Sequence, residues 1–163
     1  GDTVHFAGHK EVILTIYERT TKLTLGAKMH TRTAEETLAN MKTIFENLPT
    51  EARRSVTFDN GLEFYEHQRL KDLLSIETYF CDPYSSWQKG GVENANGILR
   101  RSIPKGMRAE DCSAKQVQLY LKRMNSTPRK SLGYKTPYES FLQNINKQTK
   151  MLNLISPHVA LQN

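Results

Sequence analysis

The run EVILTIYER, residues 11 to 19, is continuous in apolar and β-branched side chains, and KLTLGAKM, residues 22 to 29, alternates Leu23, Leu25, Ala27 and Met29 with polar neighbours. Both patterns predict strands. With DTVHF before them the chain opens on three successive strands, which implies an antiparallel meander. The period then changes. In TAEETLANMKTIFENLP the apolar positions Ala34, Leu38, Met41, Phe45 and Leu48 step by four and three, Thr33 and Glu36 are spaced as a capping box, and Pro49 closes the segment, so a helix is predicted.

After that helix the pattern predicts a strand at SVTFD, a helix centred on Leu70, Leu73 and Leu74, and a short strand at IETYF. A strand and helix series following a meander implies an α/β fold, a mixed sheet with helices packed on its faces. Residues 81 to 91, CDPYSSWQKGG, read as a loop. The next stretch, VENANGILRRSI, contains Asn96-Gly97, a pair that locally favours a turn, yet at about 100° per residue Val92, Ala95, Leu99 and Ile103 fall on one side and Glu93, Asn96, Gly97 and Arg100 on another. A helix from 92 to 103 follows, with one face for packing and one for chemistry. Ser113 with Gln116 and Thr136 with Glu139 predict two further capped helices, Pro137 standing at the first position of the second. Residues 144–163 show no clear period and are expected to form a tail behind a single domain at 1–143.

Composition changes this picture modestly. A chain of 163 residues suits one domain burying about 70% of its unfolded surface. Cys81 and Cys112 are far apart and form no CxxC, which favours a reduced setting over a disulfide scaffold. No apolar run approaches the roughly 18 residues of a membrane span, so a soluble protein is expected. The net charge of +6 favours a polyanionic partner without requiring one.

The candidate chemistry lies at VTFDNGLEF, where Asp59, Asn60 and Gly61 stand at the end of an apolar strand. One helix, one strand and one loop separate Asp59 from Glu93, a connection able to bring the start of the later helix back to the end of the earlier strand. Asp2, on the first strand, joins them if that strand is central. Two unit charges about 4 Å apart repel by roughly 4 kcal/mol at an effective dielectric of 20, so clustered carboxylates need cations. Magnesium fits by its preference for oxygen ligands, and two such ions can serve an in-line displacement at phosphorus. On the residues alone Glu63 and Asp82 rival this set. His5 and His9 on a strand and turn share no face, His67 reads as a helix-surface residue, and the acceptor-like NST at 125 to 127 carries no role in a cytosolic protein.

TFDNGLEF, DPYSSWQKGGVENANGILRR and NSTPRKSLGYKTPYESF, in this order, resemble the catalytic core of bacterial insertion-sequence transposases, in particular the insertion-sequence-thirty group of the retroviral-integrase superfamily, from about Gly1 to Phe141. The resemblance implies a ribonuclease-H-like mixed five-stranded sheet with helices on both faces. It places the three catalytic, metal-holding carboxylates at Asp2, Asp59 and Glu93, with two Mg²⁺ or Mn²⁺ ions as cofactor. It puts Arg100, seven positions after the glutamate, on a DNA phosphate, and with it Lys89, Arg101, Arg129 and Lys130 on the phosphate-binding surface. Tyr84, Trp87, Gln88 and Asn96 become candidates for contacts at the transposon end. The implied reaction is cleavage of transposon-end phosphodiesters and transfer of the 3′-hydroxyl into target DNA, by a homo-oligomer in the bacterial cytoplasm, associated with the nucleoid and not with a membrane. A nuclease of the same fold that only hydrolyses and a catalytically silent DNA-binding module are the alternatives. Ser86 and Gly91-Val92 depart from the family pattern. Because the family carries a helix-turn-helix region upstream, an excised core is expected.

Overall fold

The computed structural model of the chain describes residues 1–8, 10–82 and 88–155, with the backbone alone for 148–155. The predicted meander is present. Strands β1 (Asp2–His5), β2 (Val12–Tyr17) and β3 (Thr24–Met29) pair antiparallel in that order, with Thr3 opposite Leu14 and Leu14 opposite Ala27. Strands β4 (Ser55–Phe58) and β5 (Glu77–Phe80) pair in parallel, Val56 opposite Thr78.

The α/β architecture is as expected, but among the described residues the five strands are hydrogen-bonded as three plus two rather than as one continuous ladder. The β1–β2 ladder begins at Asp2, and beside it the Gly1 nitrogen donates to the Thr57 carbonyl of β4 at 2.6 Å. That contact holds the start of β1 against β4.

β2 explains its own composition. Val12, Leu14 and Ile16 enter a core with Leu38, Met41, Phe45, Phe58, Phe64 and Leu70, while Ile13 enters a second core with Val4, Ala95, Leu99, Val117 and Leu121. A strand covered on both faces has no use for polar alternation, hence an apolar run in which Thr15 is the one hydroxyl between Val12 and Ile16. The first core lies under α1 (Ala34–Glu46) and α2 (Gln68–Leu74), the second under α3 (Gly90–Leu99) and α4 (Ala114–Asn125). Helices thus cover both faces.

Several local expectations are refined. Thr33 caps α1 by accepting from the Glu36 amide, but the Glu36 carboxylate takes the His30 and Thr31 amides instead of closing a reciprocal box. The Ser113–Gln116 box is complete, and Thr136 and Glu139 exchange both bonds ahead of α5 (Pro137–Ile155), a helix that runs on through residue 143. In α2, Leu70 is buried but Leu73 faces outward. α3 ends at Leu99, and Ile103 reaches the core from the turn beyond it.

β3 would be an open edge, a liability in any sheet. α4 closes it: buried Asn125 accepts from the Thr24 amide at 2.9 Å and donates to the Thr24 carbonyl at 2.7 Å, and Gln118 donates to the Gly26 carbonyl at 2.7 Å. A side-chain amide here replaces a neighbouring strand. Asn125→Ala strands two buried main-chain groups and is expected to cost roughly 2 kcal/mol or more, visible as a lower urea midpoint with an unchanged slope.

Candidate active site

The site is built where β4 stops. Phe58 is fully buried, stacked on Phe64 with ring centroids 4.4 Å apart and tilted against Phe80 at 6.2 Å. With Phe58 anchored, the next residue emerges at the carboxyl end of the strand. Asp59 then folds the chain on itself, its Oδ1 accepting from the Gly61 amide at 3.1 Å, while Asn60 donates to the Cys81 carbonyl at 3.4 Å. Space favours glycine at 61: a Cβ there would lie 2.5 Å from Glu63 Oε2 and 2.9 Å from Asp59 Oδ1, so both carboxylates would have to shift. Gly61→Ala is expected to lower stability by about 1–3 kcal/mol through overpacking, measured by urea denaturation.

Asp2 comes to the same place from β1. Its Oδ2 accepts from Asn96 Nδ2 at 2.8 Å, and Asn96 Oδ1 accepts from the Thr15 hydroxyl at 2.9 Å. Thr15 is completely buried in β2, so a hydroxyl inside the core holds the amide that holds the carboxylate. Between the acids sits Lys89, at the N-terminal end of α3, its Nζ 2.7 Å from Asp59 Oδ2 and 3.4 Å from Asp2 Oδ1. Burial lowers the Lys89 pKa, but the hydrogen bond to Asp59 and the charge of Asp2 outweigh it and hold the ammonium above the usual lysine value.

Lys89, Glu93, Asn96 and Arg100 succeed one another at helical intervals along one stripe of α3, and the stripe lies along β1. Arg100 donates from Nη2 to the His5 carbonyl at 2.6 Å, and burial lowers its pKa. Glu93 is exposed, one turn from both Lys89 and Asn96, with its amide on the Lys89 carbonyl at 3.0 Å. Among the described residues no three His, Cys, Asp or Glu side chains stand close enough to share a metal ion. The fold therefore brings Asp2 and Asp59 to one ammonium, that of Lys89, and leaves Glu93 exposed one turn further along α3.

The rival acids have other work. Asp82 and Gln88 bond each other twice, amide to Oε1 at 3.0 Å and Nε2 to Oδ2 at 2.9 Å. Buried Glu63 takes the Thr3 hydroxyl at 3.2 Å and lies 3.8 Å from Arg32, bracing β1 from its other face. Arg129 donates to the Met124 carbonyl at the end of α4, while Arg101 and Lys130 are exposed. Gly97 faces open space, so helix packing is not what calls for it. Tyr84, Trp87 and His9 lie outside the described residues. A cleft of about 460 Å³, lined by Gly1, Tyr17, Glu18, Val56, Gln88 and Lys89, opens beside the pair. Thr15 was not singled out by sequence reasoning; its signal is a lone hydroxyl in a strand buried on both faces.

The donor set fits a hard divalent ion. Two carboxylates supply oxygen ligands of the kind magnesium takes, and the gap between them already accommodates a positive group.

No family model matches the chain. It is 37% identical over 148 residues to the transposase for insertion sequence element IS4351 of Bacteroides fragilis, covering 91% of this chain and 45% of that protein. It is 32% identical to the transposase for IS1086 of Cupriavidus metallidurans, covering 93% and 45%, and 32% identical to the transposase InsI for IS30A of Escherichia coli, covering 78% and 33%. The chain thus spans less than half the length of these relatives. Among solved structures it is similar to the catalytic core domain of BIV integrase, with a TM-score of 0.71, 23% identity, and coverage of 91% of this chain and 95% of that one. That likeness fixes the fold as the integrase-core, ribonuclease-H-like type.

Proposed function

From the premise that this chain is a homologue of the bacterial insertion-sequence transposases, we propose that it is the catalytic part of such an enzyme, cutting phosphodiesters at transposon ends and joining the freed 3′-hydroxyl to target DNA. The observation that carries the reading is the convergence of Asp2 and Asp59, from separate strands, on one cation-sized gap at the carboxyl end of β4. α/β proteins place their ligands at such strand ends.

Asp2, Asp59 and Glu93 would hold two Mg²⁺ or Mn²⁺ ions, which supply charge stabilisation to the attacking and leaving oxygens of a displacement at phosphorus. The chain's own part is orientation. Thr15 fixes Asn96, Asn96 fixes the Asp2 carboxylate, and the Gly61 amide fixes Asp59; partners of this kind set the direction of ligating groups. Arg100 ties α3, the helix that bears Glu93, to β1 through the His5 carbonyl. Exposed Arg101 and Lys130, with Tyr84, Trp87, Gln88 and Arg129, are proposed to receive the DNA backbone and the transposon end. The displacement is direct, with water as the first nucleophile and the freed 3′-hydroxyl as the second.

The test is a joining assay with pre-cut duplex ends bearing the family's terminal repeats, a supercoiled target and Mn²⁺. Covalently joined products support the reading, whereas nicking without joining would make the protein a nuclease that only hydrolyses. DNA is proposed as the partner on the resemblance to transposases; no helix among the described residues is long and apolar enough to cross a membrane. Assembly as a homo-oligomer, which would hold two ends together, and residence on the nucleoid are part of the same proposal.

A further inference from the structure

We propose that Lys89 is a tethered counter-cation for the acidic pair, seated between Asp2 and Asp59 when no divalent ion is bound and displaced when one enters, so that it sets the metal affinity of the site. The inference rests on the reading of these aspartates as metal ligands and extends it to a residue that the family resemblance assigned only to the DNA phosphates.

The geometry carries it. The ammonium contacts an oxygen of each carboxylate, at 2.7 and 3.4 Å, and its side chain is only 19% exposed, a seated position rather than a solvated surface one. Its partners are already oriented by Asn96 and by the Gly61 amide, so removing it leaves two fixed carboxylates facing each other. A divalent ion and an ammonium cannot share that gap. The 460 Å³ cleft that Lys89 also lines gives the displaced side chain somewhere to go.

The cost to metal binding follows from occupancy. A ligand that must wait for a competing conformer sees its dissociation constant divided by the fraction of competent protein. If the lysine is seated between about two-thirds and nine-tenths of the time, apparent affinity is weakened roughly threefold to tenfold. The metal-free protein gains in return, since the pair stays neutralised.

Isothermal titration of Mn²⁺ into the wild-type chain and into Lys89→Met is the first experiment. The variant is expected to bind about threefold to tenfold more tightly; equal or weaker binding overturns the inference. The second uses the wild type alone, with its lysines reductively methylated by ¹³C, a modification that keeps their charge. Its Lys89 methyl resonance is expected to move as Mg²⁺ is added, and a resonance unmoved at saturation overturns the inference even if the variant fails to fold. Binding that is equal in both proteins removes the role of Lys89 while leaving the metal site standing. Binding in neither removes the metal-site reading itself, and this inference with it.

Discussion

Asp59→Asn is expected to abolish divalent-metal-dependent nicking and joining of transposon-end DNA, by roughly 10³-fold or more, equivalent to about 4 kcal/mol of transition-state stabilisation. The substitution keeps the shape of the side chain, so Oδ1 still accepts from the Gly61 amide and the turn persists. What is lost is the charge. An amide is a poor ligand for a hard dication beside carboxylates, and only one aspartate then remains in the gap. Stability is expected to change by less than about 1 kcal/mol, because the Lys89 ion pair is a third exposed on the Asp59 side and pairs of that kind contribute little. DNA binding, proposed above to rest on basic residues elsewhere, should be largely retained in a gel-shift assay. Glu93→Gln is expected to behave alike. Undiminished turnover in either variant would remove that residue from the mechanism.

Phe58→Ala is expected to destabilise the domain by about 3–5 kcal/mol, a large share of the 5–15 kcal/mol typical of a domain. Phe58 is wholly buried, and its ring is the partner of both Phe64, stacked at 4.4 Å, and Phe80, tilted at 6.2 Å. Truncation removes these aromatic contacts together with the buried area and leaves a void between β4, β5 and the 3₁₀ segment Leu62–His67. The next residue in the chain is Asp59. Loss of the anchor should therefore reduce Mn²⁺ affinity at temperatures where the variant is still folded, a readout that separates displacement of the site from simple unfolding. Denaturant melts give the stability term, and calorimetry gives the other. A variant of unchanged stability would mean that the β4 end is held by something other than this aromatic cluster.

Much of the fold was legible in one dimension because its signals are local. The apolar run of β2, the change of period at α1 and the Ser113–Gln116 box depend on neighbours within a few residues, and each reappears at its predicted place. Boundaries were less legible. The segment after Leu99 keeps an apolar residue at the helical interval, yet Ile103 reaches the core from a turn; periodicity reports which side chains are buried, not which backbone carries them. Glu36 shows the same limit, since the spacing of a capping box does not say which amides its carboxylate will find.

The site divides in the same way. That acids at a strand end and at a helix start are candidates for one chemistry could be read from residue type and from the resemblance of their flanking blocks. That Thr15 and Asn96 hold Asp2, that Glu63 serves the opposite face of β1, and that Lys89 lies between two carboxylates could not. Sequence alone determined the elements, the apolar faces and the candidate acids, because these follow from side-chain chemistry and short-range spacing. Only the tertiary structure decided which charges meet, because a Coulomb interaction depends on distance in space, and the packing of β1, β4 and α3 sets those distances.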